Sequence, residues 1–340
     1  MKAVRTHGRG GPEQLFFEDA PVPVVRPGDV LVRVRATGIT PAELTWDETY
    51  QNADGTPRIP GIPGHEPLGV VEETAPDVTD FRAGDDIYGL ADFPRDGAAA
   101  EFAAVRAANL ALKPRSIPHV QAAALPLSAL TAWQALFEHA HLGSGQAVLI
   151  HGGAGGVGTL AVQLARWRGA HALATASARD TALVRSLGAD DVIDYHATRF
   201  EDILRDIDVV LDTIGGETRE RSWRVLRKGG VLVTLVSAIP PDVAERHSVR
   251  GVFFIVKRKS KAAGSNYRTR GHREAKAGII RGASACPRTR SVRAWCCRPR
   301  SKQNRASGGC IAARSRTDVA DPEVARHLTV WKSDRVSPTL

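Results

Sequence analysis

The sequence predicts an α/β fold in two domains, a small barrel-like β domain followed by a doubly wound parallel sheet. Three observations predict it. Short apolar runs broken by Gly and Pro fill residues 1–117. Strand and helix patterns alternate over residues 118–256. A glycine-rich turn joins the first strand of that second stretch to its helix. A chain of 340 residues is ordinary for two such domains.

In the first domain Val30-Leu31-Val32-Arg33-Val34-Arg35 alternates with period two, as a half-buried strand does. Pro27-Gly28-Asp29 and Gly38 bound it. Leu68–Val71, Ile87–Leu90 and Glu101–Val105 are further short strands. In the second domain Ala129–Ala140 reads as a helix, with Leu130, Trp133, Leu136 and Phe137 on one face. Ala147-Val148-Leu149-Ile150 is a continuous apolar run, the mark of a parallel strand buried on both faces. Leu160–Arg168, Thr181–Leu187 and Thr218–Leu226 follow as helices. His171–Ala176, Asp191–Ile193, Val209–Leu211 and Val231–Val236 follow as strands.

The strand Ala147–Ile150 runs into His151-Gly152-Gly153-Ala154-Gly155-Gly156-Val157-Gly158, which contains G-x-G-x-x-G as Gly153, Gly155 and Gly158. In strand–turn–helix context this is a dinucleotide fingerprint. The first Gly allows a tight turn, the second lets the backbone approach a pyrophosphate, and the third lets helix pack on strand. The helix start offers N–H groups and the positive dipole end to phosphates. An NAD site wants an acid at the tip of the second strand. Here the tip carries Ser177 and Arg179, a hydroxyl and a guanidinium suited to a 2′-phosphate, so the expected cofactor is NADPH. Asp180 either opposes that phosphate or caps the next helix.

Composition is globular, with 43% hydrophobic and 24% charged residues. Aromatics at 6% give no aromatic-rich nucleic-acid surface. No run of 18 apolar residues exists, which excludes a membrane-spanning helix, and the start lacks an apolar signal region. A cytoplasmic location is expected. The net charge of +9 conceals a split. Residues 1–256 carry 25 basic and 32 acidic side chains; residues 257–340 carry 21 and 5, with all four cysteines. Cys286, Cys296, Cys297 and Cys310 make no metal spacing. The tail's Arg, Ala, Gly, Ser, Pro and Cys enrichment matches a GC-rich gene read out of frame from about residue 257; the alternative is a genuine basic, disordered appendage. Either way disorder is expected there, with barrel strand edges left unpaired and activity impaired. Only this tail offers a nucleic acid anything, and that is salt-dependent, non-specific contact.

Gly64-His65-Glu66-Pro67-Leu68-Gly69, Gly84-Asp85-Asp86-Ile87-Tyr88-Gly89 and Leu211-Asp212-Thr213-Ile214-Gly215-Gly216 join the glycine turn in a set. The set resembles the medium-chain dehydrogenase/reductase superfamily, in its zinc-independent quinone oxidoreductase-like branch, over residues 1 to about 256. The resemblance implies a GroES-like barrel (residues 1–117), a Rossmann NADP-binding domain (118–256) and a homodimer through the latter. It implies hydride transfer from NADPH to a quinone or α,β-unsaturated carbonyl. A non-catalytic NADPH-binding protein, or an inactive homologue with a basic tail, is the alternative. Zinc members place a Cys where Thr40 stands in Gly38-Ile39-Thr40-Pro41-Ala42-Glu43, and a hydroxyl is a poor zinc ligand, so no metal is expected. His65 and Glu66 then hold their loop by hydrogen bonds, and Glu43 forms a structural ion pair. Thr40, Trp46, Tyr50 and Asn52 fall in the substrate-side segment. Tyr50 is the best hydrogen-bond donor by chemistry, and Trp46 suits stacking on a flat ring; packing in a barrel loop is the plainer role for both. Tyr195 resembles a family tyrosine near the adenosine phosphate.

Overall fold

The computed structural model describes residues 1–258, 293–297 and 310–312, which group into two units. The first holds Met1–Pro114, Pro118–Ala124 and the described residues from Arg293 onward; the second holds Arg115–Ile117 and residues 125–258.

The first unit opens on an antiparallel hairpin of β1 (Lys2–Thr6) and β2 (Leu15–Asp19). Its main sheet is antiparallel and centres on β3 (Asp29–Ile39). Val30, Val32 and Val34 are buried while Arg33 is exposed, the alternation read from the sequence. β4 (Glu66–Thr74) pairs with β3, β5 (Asp86–Gly89) with β4, and β6 (Phe102–Arg106) with the Asp29–Arg33 half of β3. β7 (Leu110–Leu112) pairs with β5, and the short α1 (His119–Ala123) follows in the same unit. Phe81, Ile87, Val105 and Leu110 fill the core with the β3 valines.

The second unit begins with α2 (Pro126–Trp133), which passes into a π-helical turn, Gln134–His139. The sequence predicts one regular helix here. The wider turn buries Gln134, whose amide brackets the Lys257 backbone: Nε2 donates to its carbonyl at 2.5 Å and Oε1 accepts its N–H at 2.9 Å. The strands and helices are β8 (Ala147–Ile150), α3 (Gly156–Arg168), β9 (His171–Ala176), α4 (Thr181–Ser186) and β10 (Asp191–Asp194). α5 (Phe200–Ile203), β11 (Ile207–Asp212), α6 (Gly216–Ser222), β12 (Leu226–Thr234), α7 (Pro241–Arg246) and β13 (Arg250–Phe253) follow. All six strands are parallel, in the order β10-β9-β8-β11-β12-β13. Strand order reverses between β8 and β11, which sets a switch point at their C-terminal ends, where open α/β sheets take ligands. Val148, Leu149 and Ile150 are fully buried, as their unbroken apolar run requires.

The expectation of tail disorder lies outside the described residues, apart from two strands. β14 (Arg293–Cys297) runs antiparallel to the Ala36–Ile39 half of β3, and β15 (Cys310–Ala312) pairs with β14. This corrects the reading that the tail leaves that edge unpaired. A five-residue strand is too short to register as periodicity, yet it pairs the backbone groups that β6 leaves open.

Candidate dinucleotide site

Helix α3 starts where the glycine turn ends. Gly155 is its N-cap, extended at φ −79° and ψ 174°, and no side chain caps it. Thr159 N–H makes the bond to Gly155 O at 3.0 Å that starts the helical ladder, so the amides of Gly156, Val157 and Gly158 precede it and point out of the helix end. Buried Leu160, Val162 and Leu164 fix the helix to the sheet.

The glycines divide their tasks differently from the expectation. The left-handed residue is Gly152, at φ +71°, rather than Gly153. Gly153 is needed for space, since a Cβ there would sit 2.8 Å from Ala174 Cβ. Gly158 keeps its expected role: a Cβ would lie 2.1 Å from Gly152 O, so only glycine lets the first turn of α3 cross the strand end. Ala154 and Gly155 complete the turn, whose Gly155 N–H bonds Gly152 O at 2.9 Å.

The second strand ends as the sequence reads it, with Ser177 and Arg179 beyond β9. Ser177 Oγ donates to Asp180 Oδ2 at 2.8 Å, and Arg179, 66% exposed, lies 3.5 Å from Asp180 Oδ1. Asp180 makes no side-chain cap to α4, so of the two roles open to it, capping is not the one it plays. Tyr195 is 57% exposed, and its N–H donates to Ala176 O at 3.3 Å, which places it beside Ser177. Its ring faces His196 at 4.3 Å.

Sequence reading passed over the groups beneath the turn. His151, fully buried, lies 2.9 Å from Ser222 Oγ through Nε2 and 3.3 Å from Thr175 Oγ1 through Nδ1. Burial pushes its pKa down to about 4. Asp212 Oδ1 accepts the Ile214 and Gly215 amides, and Oδ2 accepts the Thr234 hydroxyl, which shapes the turn after β11. His151 heads the glycine run, but nothing local in the sequence marks its role, which depends on Ser222 and Thr175.

In the first unit the substrate-segment residues separate. Tyr50 is 2% exposed, its hydroxyl donates to Leu44 O at 2.7 Å, and Arg9 lies over its ring. This corrects its assignment as hydrogen-bond donor to a substrate; the hydroxyl is committed to a buried loop carbonyl. Trp46 is half-buried, edge-on to Phe93 at 5.4 Å. Asn52 Nδ2 donates to Thr56 Oγ1. Thr40 is half-buried at the head of the 3₁₀ turn Pro41–Thr45 and makes no capping bond. Glu43 and His65 are buried against each other: Glu43 Oε1 accepts the Gly64 N–H at 2.7 Å and faces His65 Nδ1 at 2.6 Å. His65 Nε2 faces Phe93 O at 3.0 Å. With both ring nitrogens of His65 engaged, and a threonine hydroxyl at position 40 rather than a thiolate, these residues do not fit a zinc ion. Among the described residues no three His, Cys, Asp or Glu side chains cluster as metal ligands.

Comparison with known proteins agrees with this architecture. Residues 26–115 match the alcohol dehydrogenase GroES-like domain, and residues 156–277 match the zinc-binding dehydrogenase family. The second match runs past the point where the sequence reading ends the resemblance. The chain is 36% identical over 250 residues to a 2-methylene-furan-3-one reductase of Solanum lycopersicum and to a chloroplastic NADPH-dependent alkenal/one oxidoreductase of Arabidopsis thaliana. These matches cover 71% of this chain and 63% and 64% of the relatives, so the chain spans less than two thirds of their length. The quinone oxidoreductase of Coxiella burnetii superposes with a TM-score of 0.70 at 28% identity, over 84% of this chain and 94% of that one.

Proposed function

Because the chain belongs to the medium-chain dehydrogenase/reductase superfamily, in its quinone oxidoreductase-like branch, we propose that it is an NADPH-dependent reductase of quinones or α,β-unsaturated carbonyls. One observation carries the reading: an uncapped helix start behind a glycine turn, with a hydroxyl and a guanidinium at the end of the adjacent strand. Gly153, Ala154, Gly155, Gly156, Val157 and Gly158 would hold the pyrophosphate through backbone amides. Ser177 and Arg179 would hold the 2′-phosphate, with Tyr195 beside the adenosine. NADPH, when bound, supplies the hydride. The names of the two plant relatives, both enone-type reductases, support the substrate class. Thr40, half-buried and with its hydroxyl making no capping bond, is the remaining candidate to donate to the oxygen that gains charge, with Trp46 as a flat wall.

We propose a homodimer through the second unit. The outer edge of β13 has no partner strand among the described residues, and Phe253 and Ile255 beside it are exposed. No helix among the described residues is long and apolar enough to cross a membrane. The proposed cytoplasmic location rests on composition alone. The deciding experiment follows NADPH oxidation by the full chain against a panel of quinones and enones. Turnover of either class supports the reading; tight NADPH binding without turnover of any acceptor identifies a binding protein instead.

A further inference from the structure

The buried His151 takes no part in the reduction proposed above, yet its bonds run in one direction from the glycine turn to α6. Ser222 Oγ donates its single proton to Thr218 O at 2.6 Å. Toward His151 it can only accept, so the ring carries its proton on Nε2 (2.9 Å). Nδ1 is then bare and accepts from Thr175 Oγ1 at 3.3 Å. With its proton turned to the imidazole, Thr175 Oγ1 presents a lone pair to the Gly152 N–H at 3.2 Å. Thr175 O accepts the Gly153 N–H at 2.9 Å, so one residue of β9 holds both amides that open the turn. The ring is fully buried, packed edge-on against Phe200 at 4.7 Å, and no solvent reaches it to substitute for a lost partner.

We propose that His151 is a positioning residue for the dinucleotide turn: as the Nε2–H tautomer it orients the Thr175 hydroxyl that holds Gly152 in its left-handed conformation. The inference rests on the reading of this turn as the NADPH site, and its structural half stands without it. Asn and Gln variants separate the two sides of the ring. His151→Asn places an acceptor where Nδ1 lies and keeps the bond to Thr175. His151→Gln places a donor where Nε2 lies and keeps the bond to Ser222.

The test uses the full chain and two readouts, hydrogen exchange at the Gly152 amide without cofactor and NADPH affinity by fluorescence titration. H151Q and Thr175→Val should each speed Gly152 exchange and weaken NADPH by about five- to tenfold, the worth of one lost hydrogen bond. Asn should rescue both to within about threefold, and the T175V/H151Q double variant should be no weaker than either single one, because both break one chain. Should H151Q fail to fold, H151N and the near-isosteric T175V carry the test together: T175V must lose both readouts while H151N, which keeps the acceptor toward Thr175, stays within about threefold of the native chain. Equal losses in Asn and Gln variants, additive losses in the double variant, or unchanged Gly152 exchange in T175V would each overturn the proposal. Absence of NADPH binding by the unmodified chain refutes the cofactor reading instead, and the exchange measurement still decides the relay.

Discussion

Acid should destabilise the second unit, with the largest share coming from one deeply buried side chain. His151 titrates at about 4 in the folded chain against a usual histidine value of 6.5. Burial is the main cause; Asp212 and Glu201 pull the value up, and Arg221 pushes it down with burial. The unfolded chain therefore takes up the proton first. The stabilisation is complete above 6.5 and drains away as pH falls toward 4. A shift of that size is worth about 3 kcal/mol in full, of which about 2.5 kcal/mol is gone by about pH 4.5. That is a large part of a domain stability of about 5–15 kcal/mol. Urea unfolding, followed by far-UV circular dichroism, at about pH 7.5 and about pH 4.5 measures it. His151→Asn is the reference, since it cannot titrate while every carboxylate still does. The native chain should lose about 2.5 kcal/mol more than H151N over that interval. Parallel losses in the two proteins would refute the assignment of a neutral, buried His151.

Three substitutions probe the remaining geometry. Gly158→Ala puts a Cβ 2.1 Å from a backbone oxygen that has nowhere to go; stability should fall by about 1–3 kcal/mol by thermal unfolding, and NADPH binding should be lost. Asp180→Asn removes the carboxylate that engages Ser177 and Arg179, so NADPH affinity should rise about threefold with NADH unchanged, read by titration. Tyr50→Phe should cost about 1 kcal/mol of stability and leave kcat within about twofold, because its hydroxyl serves Leu44 O; a fall in kcat of about a hundredfold would return Tyr50 to the chemistry.

What could be read from the sequence was local. The unbroken Ala147–Ile150 run, the glycine spacing and the strand–helix alternation each lie within a few residues, and the parallel sheet follows from them. β1 and β2 were not legible because their apolar residues include exposed Phe16 and Phe17, which blur any alternation. α5 and α7, at four and six residues, are too short for a helical period to show. In the site, Ser177 and Arg179 could be picked out by type and position alone. His151 could not, because its meaning depends on Ser222, 71 residues away, and on Thr175 in the adjacent strand. Tyr50 misled for the same reason: a phenol looks like a free donor until the fold shows the carbonyl it already serves.

The central claim is that the turn opening α3, with Ser177 and Arg179, selects NADPH. Fluorescence titration of the full chain with NADPH and NADH, repeated on Arg179→Ala, tests it most directly. The account predicts at least about tenfold tighter binding of NADPH, with Arg179→Ala weakening NADPH and leaving NADH nearly unchanged. Equal affinities, a preference for NADH, or an equal loss of both cofactors in the variant would contradict it.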